Sequence, residues 1–215
     1  MRAYIAYAAL LCVLALTPPE AKGLVAILLS LTLGFTLTYL DREKPTKLWE
    51  GEVAALAYLI ALGVLPNALI VAISLALGVV KGAPTPPSAL AMPLVVISEE
   101  VFFRQYLFTR VGKVKASLMY AAFHAPLSSP QYMLNFLAIA PVYALLGLTL
   151  QEVYARHGLL GSAACHLAYD VLARSYALEM GWKGVAAAIS SHVVALAIAV
   201  ALPTSDRPNP REKAR

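Results

Sequence analysis

Charge is scarce in this chain of 215 residues: Asp, Glu, Lys and Arg together make up 13% of it, against roughly 25% in an average soluble domain. Cysteine is rarer still. Cys12 and Cys165 are too few for a disulfide scaffold, and both fall in apolar runs, where a thiol reads as a small buried hydrophobe. Disorder is excluded as well, since 60% of the residues are hydrophobic. Several catalytic signatures are missing. No HExxH occurs, so the helix-borne zinc motif is absent. No GxSG occurs, and Asp170 is the one aspartate in an apolar run, because Asp41 and Asp206 fall in loops. Serine chemistry and two-aspartate chemistry inside a membrane are thereby excluded.

What is present is hydrophobicity, with a mean hydropathy of +0.72, laid out as long apolar runs along the chain. That pattern predicts an all-α, polytopic transmembrane helical bundle. At about 20 residues per crossing, about eight spans fit: residues 3–17, 23–40, 53–80, 90–109, 116–127, 132–153, 159–176 and 185–202. The third contains Pro66 and is long enough to be kinked or divided. The fifth is short and ends early at Pro126 and Pro130. The first, with Arg2 before an apolar run, lacks the small-residue cleavage site of a signal peptide and reads as a helix. Residues 1–202 form one transmembrane domain, and 203–215 a charged tail.

The net charge of +5 is a topology signal. With the N-terminus inside, the inner segments collect Arg2, Arg42, Lys44, Lys47, Arg110, Lys113, Lys115, Arg156 and the tail residues Arg207, Arg211, Lys213 and Arg215. The outer loops hold Lys22, Lys81 and Lys183, with Arg174 at a helix edge. This asymmetry follows the positive-inside rule and places a multi-pass protein in the cell membrane with both termini cytoplasmic. A nucleic-acid partner is not expected, because the cations are divided among short loops instead of forming one face.

An ionisable side chain at the centre of a membrane helix costs roughly 2.5–3.5 kcal/mol on insertion scales, which makes it a functional candidate. Span four carries Glu99, Glu100 and Arg104, span five His124, and span seven His166 and Asp170. Counted from the inner helix ends, Glu99, His124, His166 and Asp170 share one layer, roughly 10–17 Å deep at 1.5 Å per residue. Residues four apart share a helix face. Glu100 and Arg104 therefore read as a structural ion pair, in which Arg104 keeps Glu100 ionised. Glu99 points about 100° away with no partner on its own helix, and a desolvated lone carboxylate suits a general base. Asp170 is spaced to orient His166, and His124 can face Glu99 from another helix. His192 reads as a packing residue and His157 as a solvated loop residue.

The run Glu99-Glu100-Val101-Phe102-Phe103-Arg104 resembles the EExxxR motif of the CAAX protease and bacteriocin-processing family. Those proteins are intramembrane endopeptidases, among them the Ras-converting enzyme. The family's FxxxH motif is matched by Tyr120 and His124, with Tyr for Phe, a change expected to affect packing only. Its His-xxx-Asn/Asp motif is matched by His166 and Asp170. The resemblance implies an endopeptidase without a cofactor, its site open to the cytoplasmic side. Glu99 and His124 would activate a water there, and His166 with Asp170 would stabilise the oxyanion. Asp170 stands where the Ras-converting branch has Asn, so it donates only when protonated; otherwise it orients His166, which is then the sole side-chain donor. Were a metal present, Glu99, His124, His166 and Asp170 would make a reasonable zinc ligand set. Expected partners are membrane lipids and a peptide or lipidated protein substrate. Two other classes compete: a proton- or ion-coupled transporter using the same residues as a relay, and a non-enzymatic scaffold or immunity partner that keeps them for folding.

Overall fold

The computed structural model describes residues 1–41, 48–49, 54–81, 91–127, 130–178 and 181–201. The cations Arg42, Lys44 and Lys47, the span ends Val53, Leu90 and Leu202, and the tail 203–215 lie outside the described residues. In hydrocarbon every backbone N–H and C=O must be satisfied within its own segment, so apolar runs become helices. They are α1 (Arg2–Leu16), α2 (Pro19–Leu40), α3 (Ala54–Ala76), α4 (Met92–Glu99), α5 (Thr109–Val111), α6 (Lys113–Phe123), α7 (Met133–Ala173) and α8 (Trp182–Ala201). A π-helix, Glu100–Phe108, joins α4 to α5 without interruption. A two-residue ribbon pairs β1 (Val80–Lys81) antiparallel with β2 (Ala177–Leu178).

Among the described residues the protein is all-helical apart from that ribbon, and four helices are long and apolar enough to cross a membrane: Glu20–Leu40, Ala55–Ala76, Met133–Ala173 and Trp182–Ala201. The expected eight crossings are not matched one for one, and each difference has a cause. The α1 helix has 15 residues. The helix from Met92 to Val111 is continuous but interrupted in polarity by Glu99, Glu100 and Arg104. With 11 residues, α6 spans only about 16 Å of a hydrocarbon core roughly 30 Å thick. The sixth and seventh runs merge into α7, whose 41 residues break at Gly158 (φ 74°, ψ −168°), a conformation open to glycine alone. Pro66 lies inside one unbroken α3 rather than dividing it.

Polar contacts gather alternate helix ends at one face, here called the basic end. Asp41, at the close of α2, accepts from Arg2 Nη1 at 3.0 Å and from Arg110 Nε at 2.9 Å. Those bonds, Arg110 first, hold its carboxyl below the ordinary value of 3.8. Lys113 pairs with Glu152, and Arg156 Nη2 donates to the Val200 carbonyl at 3.1 Å. The β-ribbon marks the opposite end, where α3 stops and the second half of α7 runs out. Between the two ends lies a core that includes Leu10, Leu59, Phe102, Phe103, Leu107 and Leu150, all fully buried. At Gly63 a Cβ would fall 2.1 Å from the Cys165 carbonyl oxygen, so α3 and α7 meet backbone to backbone beside His166. The expectation of two buried thiols holds for Cys165 but not Cys12, which is exposed on α1.

Candidate active site

Glu99 closes α4 and Glu100 opens the π-helix. This i→i+5 winding, often found at functional sites, alters the angular spacing that an α-helix would impose. The predicted pair Glu100–Arg104 forms, but loosely. Arg104 Nε stands 3.5 Å from Glu100 Oε2, and among the described residues the guanidinium nitrogens make no hydrogen bond. The fully buried guanidinium lies instead over the Tyr120 ring, 4.3 Å from its centroid.

Glu100 has a second partner that spacing along one helix could not reveal: His166 Nδ1 lies 2.8 Å from its Oε1. An ionised carboxylate only accepts, so Nδ1 carries the proton. Glu100, not Asp170, therefore makes the hydrogen bond that fixes the His166 ring. Asp170 Oδ1 stands 3.7 Å from His166 Nε2 and Glu99 Oε2 3.8 Å from it. The atom within hydrogen-bond reach of Nε2 is the Tyr120 hydroxyl, at 3.2 Å. Tyr120 thus does more than pack, contrary to the expectation for a Phe-to-Tyr change.

His124 caps the end of α6, and its Nδ1 donates to the Tyr120 carbonyl at 2.9 Å. A carbonyl cannot donate, so the neutral ring presents the Nε2 lone pair, 3.9 Å from Glu99 Oε2. Tyr143 stacks on His124 with centroids 4.4 Å apart and planes at 19°. Glu99 is buried, and its Oε2 has no hydrogen bond among the described residues.

Glu99, His124, His166 and Asp170 all line one cavity of about 480 Å³. Glu100 and Arg104 stand behind it in the core. The sequence reading missed Tyr143, Tyr169 and Arg174 in the same wall. Arg174 lay within reach of that reading, since it follows Asp170 by four residues and places Nη2 3.8 Å from Oδ2; the tyrosines gave no such signal. Among the described residues no three His, Cys, Asp or Glu side chains converge as a ready metal-ligand set. His192 is buried away from the cavity lining, donating to the Ala188 carbonyl at 2.8 Å and meeting the Tyr169 hydroxyl at 3.1 Å, in keeping with a packing role. His157 is half-buried against Trp49 rather than solvated in a loop.

The cavity reaches from the polar layer towards the ribbon end. Its lining continues from the polar layer through Val95, Ile139 and Ala188 to Arg174 and Tyr176, which adjoin β2. Towards the basic end the layer is backed by Phe103, Tyr106, Leu107, Tyr120 and Leu150, all buried.

No curated protein and no solved structure matches the chain significantly. Residues 81–172 match the family of type II CAAX prenyl endopeptidases, Rce1-like. That segment contains every residue of the polar layer, from Glu99 to Asp170. Helices apolar enough for a membrane and this match agree with the motifs: over residues 81–172 the chain is similar to the CAAX-protease family of membrane proteases.

Proposed function

We propose that the protein is an intramembrane endopeptidase that hydrolyses membrane-associated peptides by glutamate-activated attack of water. The observation that carries this reading is Glu99 Oε2, buried on the cavity wall without a hydrogen bond among the described residues and flanked by the Nε2 atoms of His124 and His166 at 3.9 and 3.8 Å. Glu99 and the His124 lone pair are neighbouring acceptors. Such a pair holds a water by its two hydrogens and leaves its oxygen lone pairs free for attack. As the water oxygen bonds to the scissile carbonyl carbon, its proton passes to Glu99. The carbonyl oxygen becomes an oxyanion, stabilised by doubly protonated His166, whose Nε2–H donates to it while Nδ1–H stays on Glu100. Collapse breaks the C–N bond while Glu99 returns the proton to the leaving amine, giving one acid and one amine.

Glu100 acts through His166 and is a positioning residue, with Arg104 balancing its charge. Asp170 and Arg174 border the cavity where the peptide would lie. The family match supports a protease, and the cavity residues support this division of roles. The test is cleavage of a peptide library by detergent-purified protein, followed by mass spectrometry, with His124→Ala and a chelator run in parallel. Loss in the variant by a factor of about 10²–10⁴, with cleavage surviving chelation, is the expected result. Cleavage lost on chelation and restored by zinc would contradict it and make these side chains ligands. Unchanged cleavage by His124→Ala would contradict it too.

A further inference from the structure

Outside the polar layer, a second set of hydrogen-bonded polar side chains joins α3, α7 and α8. Asn67 on α3 is fully buried; its Nδ2 donates to the Tyr169 carbonyl at 3.0 Å, and its Oδ1 accepts from the Tyr176 hydroxyl at 2.6 Å. His192 on α8, also buried, donates from Nδ1 to the Ala188 carbonyl at 2.8 Å. The neutral ring then offers Nε2 as an acceptor, and the Tyr169 hydroxyl, 3.1 Å away, donates to it. Tyr169 is thus held at two points, its backbone by Asn67 and its hydroxyl by His192. Apolar side chains would fill the same space without needing partners, whereas buried polar groups stabilise only when bonded. A buried network with its bonds made fixes one arrangement of the groups it joins.

The group so fixed belongs to the cavity. Tyr169 lines it with Ile70, Val142 and Ala188, while Asn67 and His192 stand behind the wall. Tyr169 follows His166 by three residues and so shares its helix face. We propose that Tyr169 is a specificity-determining residue, its ring limiting the size of the side chain admitted beside the scissile bond, and that His192 and Asn67 are the positioning residues that hold that ring. The scissile bond rests on the endopeptidase reading; the limit on size applies to any peptide the cavity binds. A ring free to turn about its side-chain torsions would give way to a larger group. Here that turn breaks the bond to His192, and the Asn67 bond keeps the backbone beneath the ring from moving with it.

The test is cleavage of a randomised peptide library by the detergent-purified full chain, with the residues flanking each cut read by mass spectrometry. Ratios between competing peptides do not depend on how much protein is folded, so a variant that only loses stability lowers every product alike. Tyr169→Ala should shift one flanking position towards larger side chains by about tenfold or more. His192→Leu should move the same position in the same direction by a smaller factor. His192→Gln, whose amide oxygen again accepts from the hydroxyl, should return it towards wild type. In a Tyr169→Phe background His192→Leu should add nothing, because the bond it breaks is already gone. An unchanged profile in Tyr169→Ala would overturn the proposal, as would a His192→Leu shift at a different position. Should wild type cut nothing, the intact library is captured on immobilised wild type and Tyr169→Ala. Larger captured side chains in the variant would uphold the size limit while the endopeptidase reading fails; identical captured sets would overturn the proposal.

Discussion

Glu99 and Glu100 are neighbours with opposite surroundings, and most of the site's chemistry follows from that contrast. Glu100 is held by His166 Nδ1 at 2.8 Å and faced by Arg104, whereas Glu99 Oε2 has no hydrogen bond among the described residues. Tyr120 links the two histidines, through its carbonyl to His124 and through its hydroxyl to His166. A hydroxyl both donates and accepts, so it can follow a proton change at Nε2 without movement of the ring. Tyr120→Phe keeps the carbonyl and the ring over Arg104 and removes only that partner. Steady-state kinetics should show kcat down about tenfold, the equivalent of one hydrogen bond. KM should not change, since Tyr120 does not line the cavity. At the surface, Asp41 is held below its ordinary value of 3.8 by Arg110 and Arg2. A depressed carboxyl contributes stability above its unfolded value and loses it as pH falls through the folded one. Melting curves of Asp41→Asn and wild type should therefore differ at neutral pH and converge in strong acid. At this scale the candidate residues were legible, because an ionisable group in an apolar run is conspicuous and its i,i+4 neighbour is local. The Glu100–His166 and Tyr120–His166 contacts were not, because each joins two helices whose packing no single run encodes.

At the scale of the element, the π-helix and two glycines set the site's frame. Glu100–Phe108 winds at i→i+5 directly after Glu99, so the angle between the two carboxylates is not the one an α-helical wheel supplies. The limits of this span were nonetheless readable, with residues 90–109 expected and Met92 to Val111 helical. Its winding was not, because no Pro or Gly lies in the π segment to signal it. Gly63 lets α3 approach α7 beside His166. In Gly63→Ala the new methyl meets the Cys165 carbonyl, and overpacking of this kind costs about 1–3 kcal/mol, occasionally more. Thermal unfolding should show that loss, with activity falling alongside as His166 is displaced. Gly23→Ala is the contrast: nothing lies within 4 Å of its Cβ, so the helix gains roughly 0.5–1 kcal/mol of propensity and the sign reverses. Gly158→Ala should destabilise by about 1–3 kcal/mol for a different reason, its positive φ of 74°.

For the whole molecule, composition alone made a helical membrane bundle legible, since long apolar runs have no other use for their backbone polar groups. The number of crossings was less legible. Hydropathy counts runs, and here one helix carries two of them across Gly158, while α6 is too short to cross alone. The direction of the cavity could not be read at all, because it depends on which side of the polar layer the core fills. The central claim is that Glu99, without a hydrogen bond on Oε2 among the described residues, is kept for chemistry and not for folding, and it separates an enzyme from a scaffold that merely retains the motif. The most direct measurement is turnover and melting temperature together for Glu99→Gln. Removing an unpaired buried charge should leave the melting temperature unchanged or raised while turnover falls about 10²-fold or more. Turnover retained, or a melting temperature lowered by several degrees, would contradict the account.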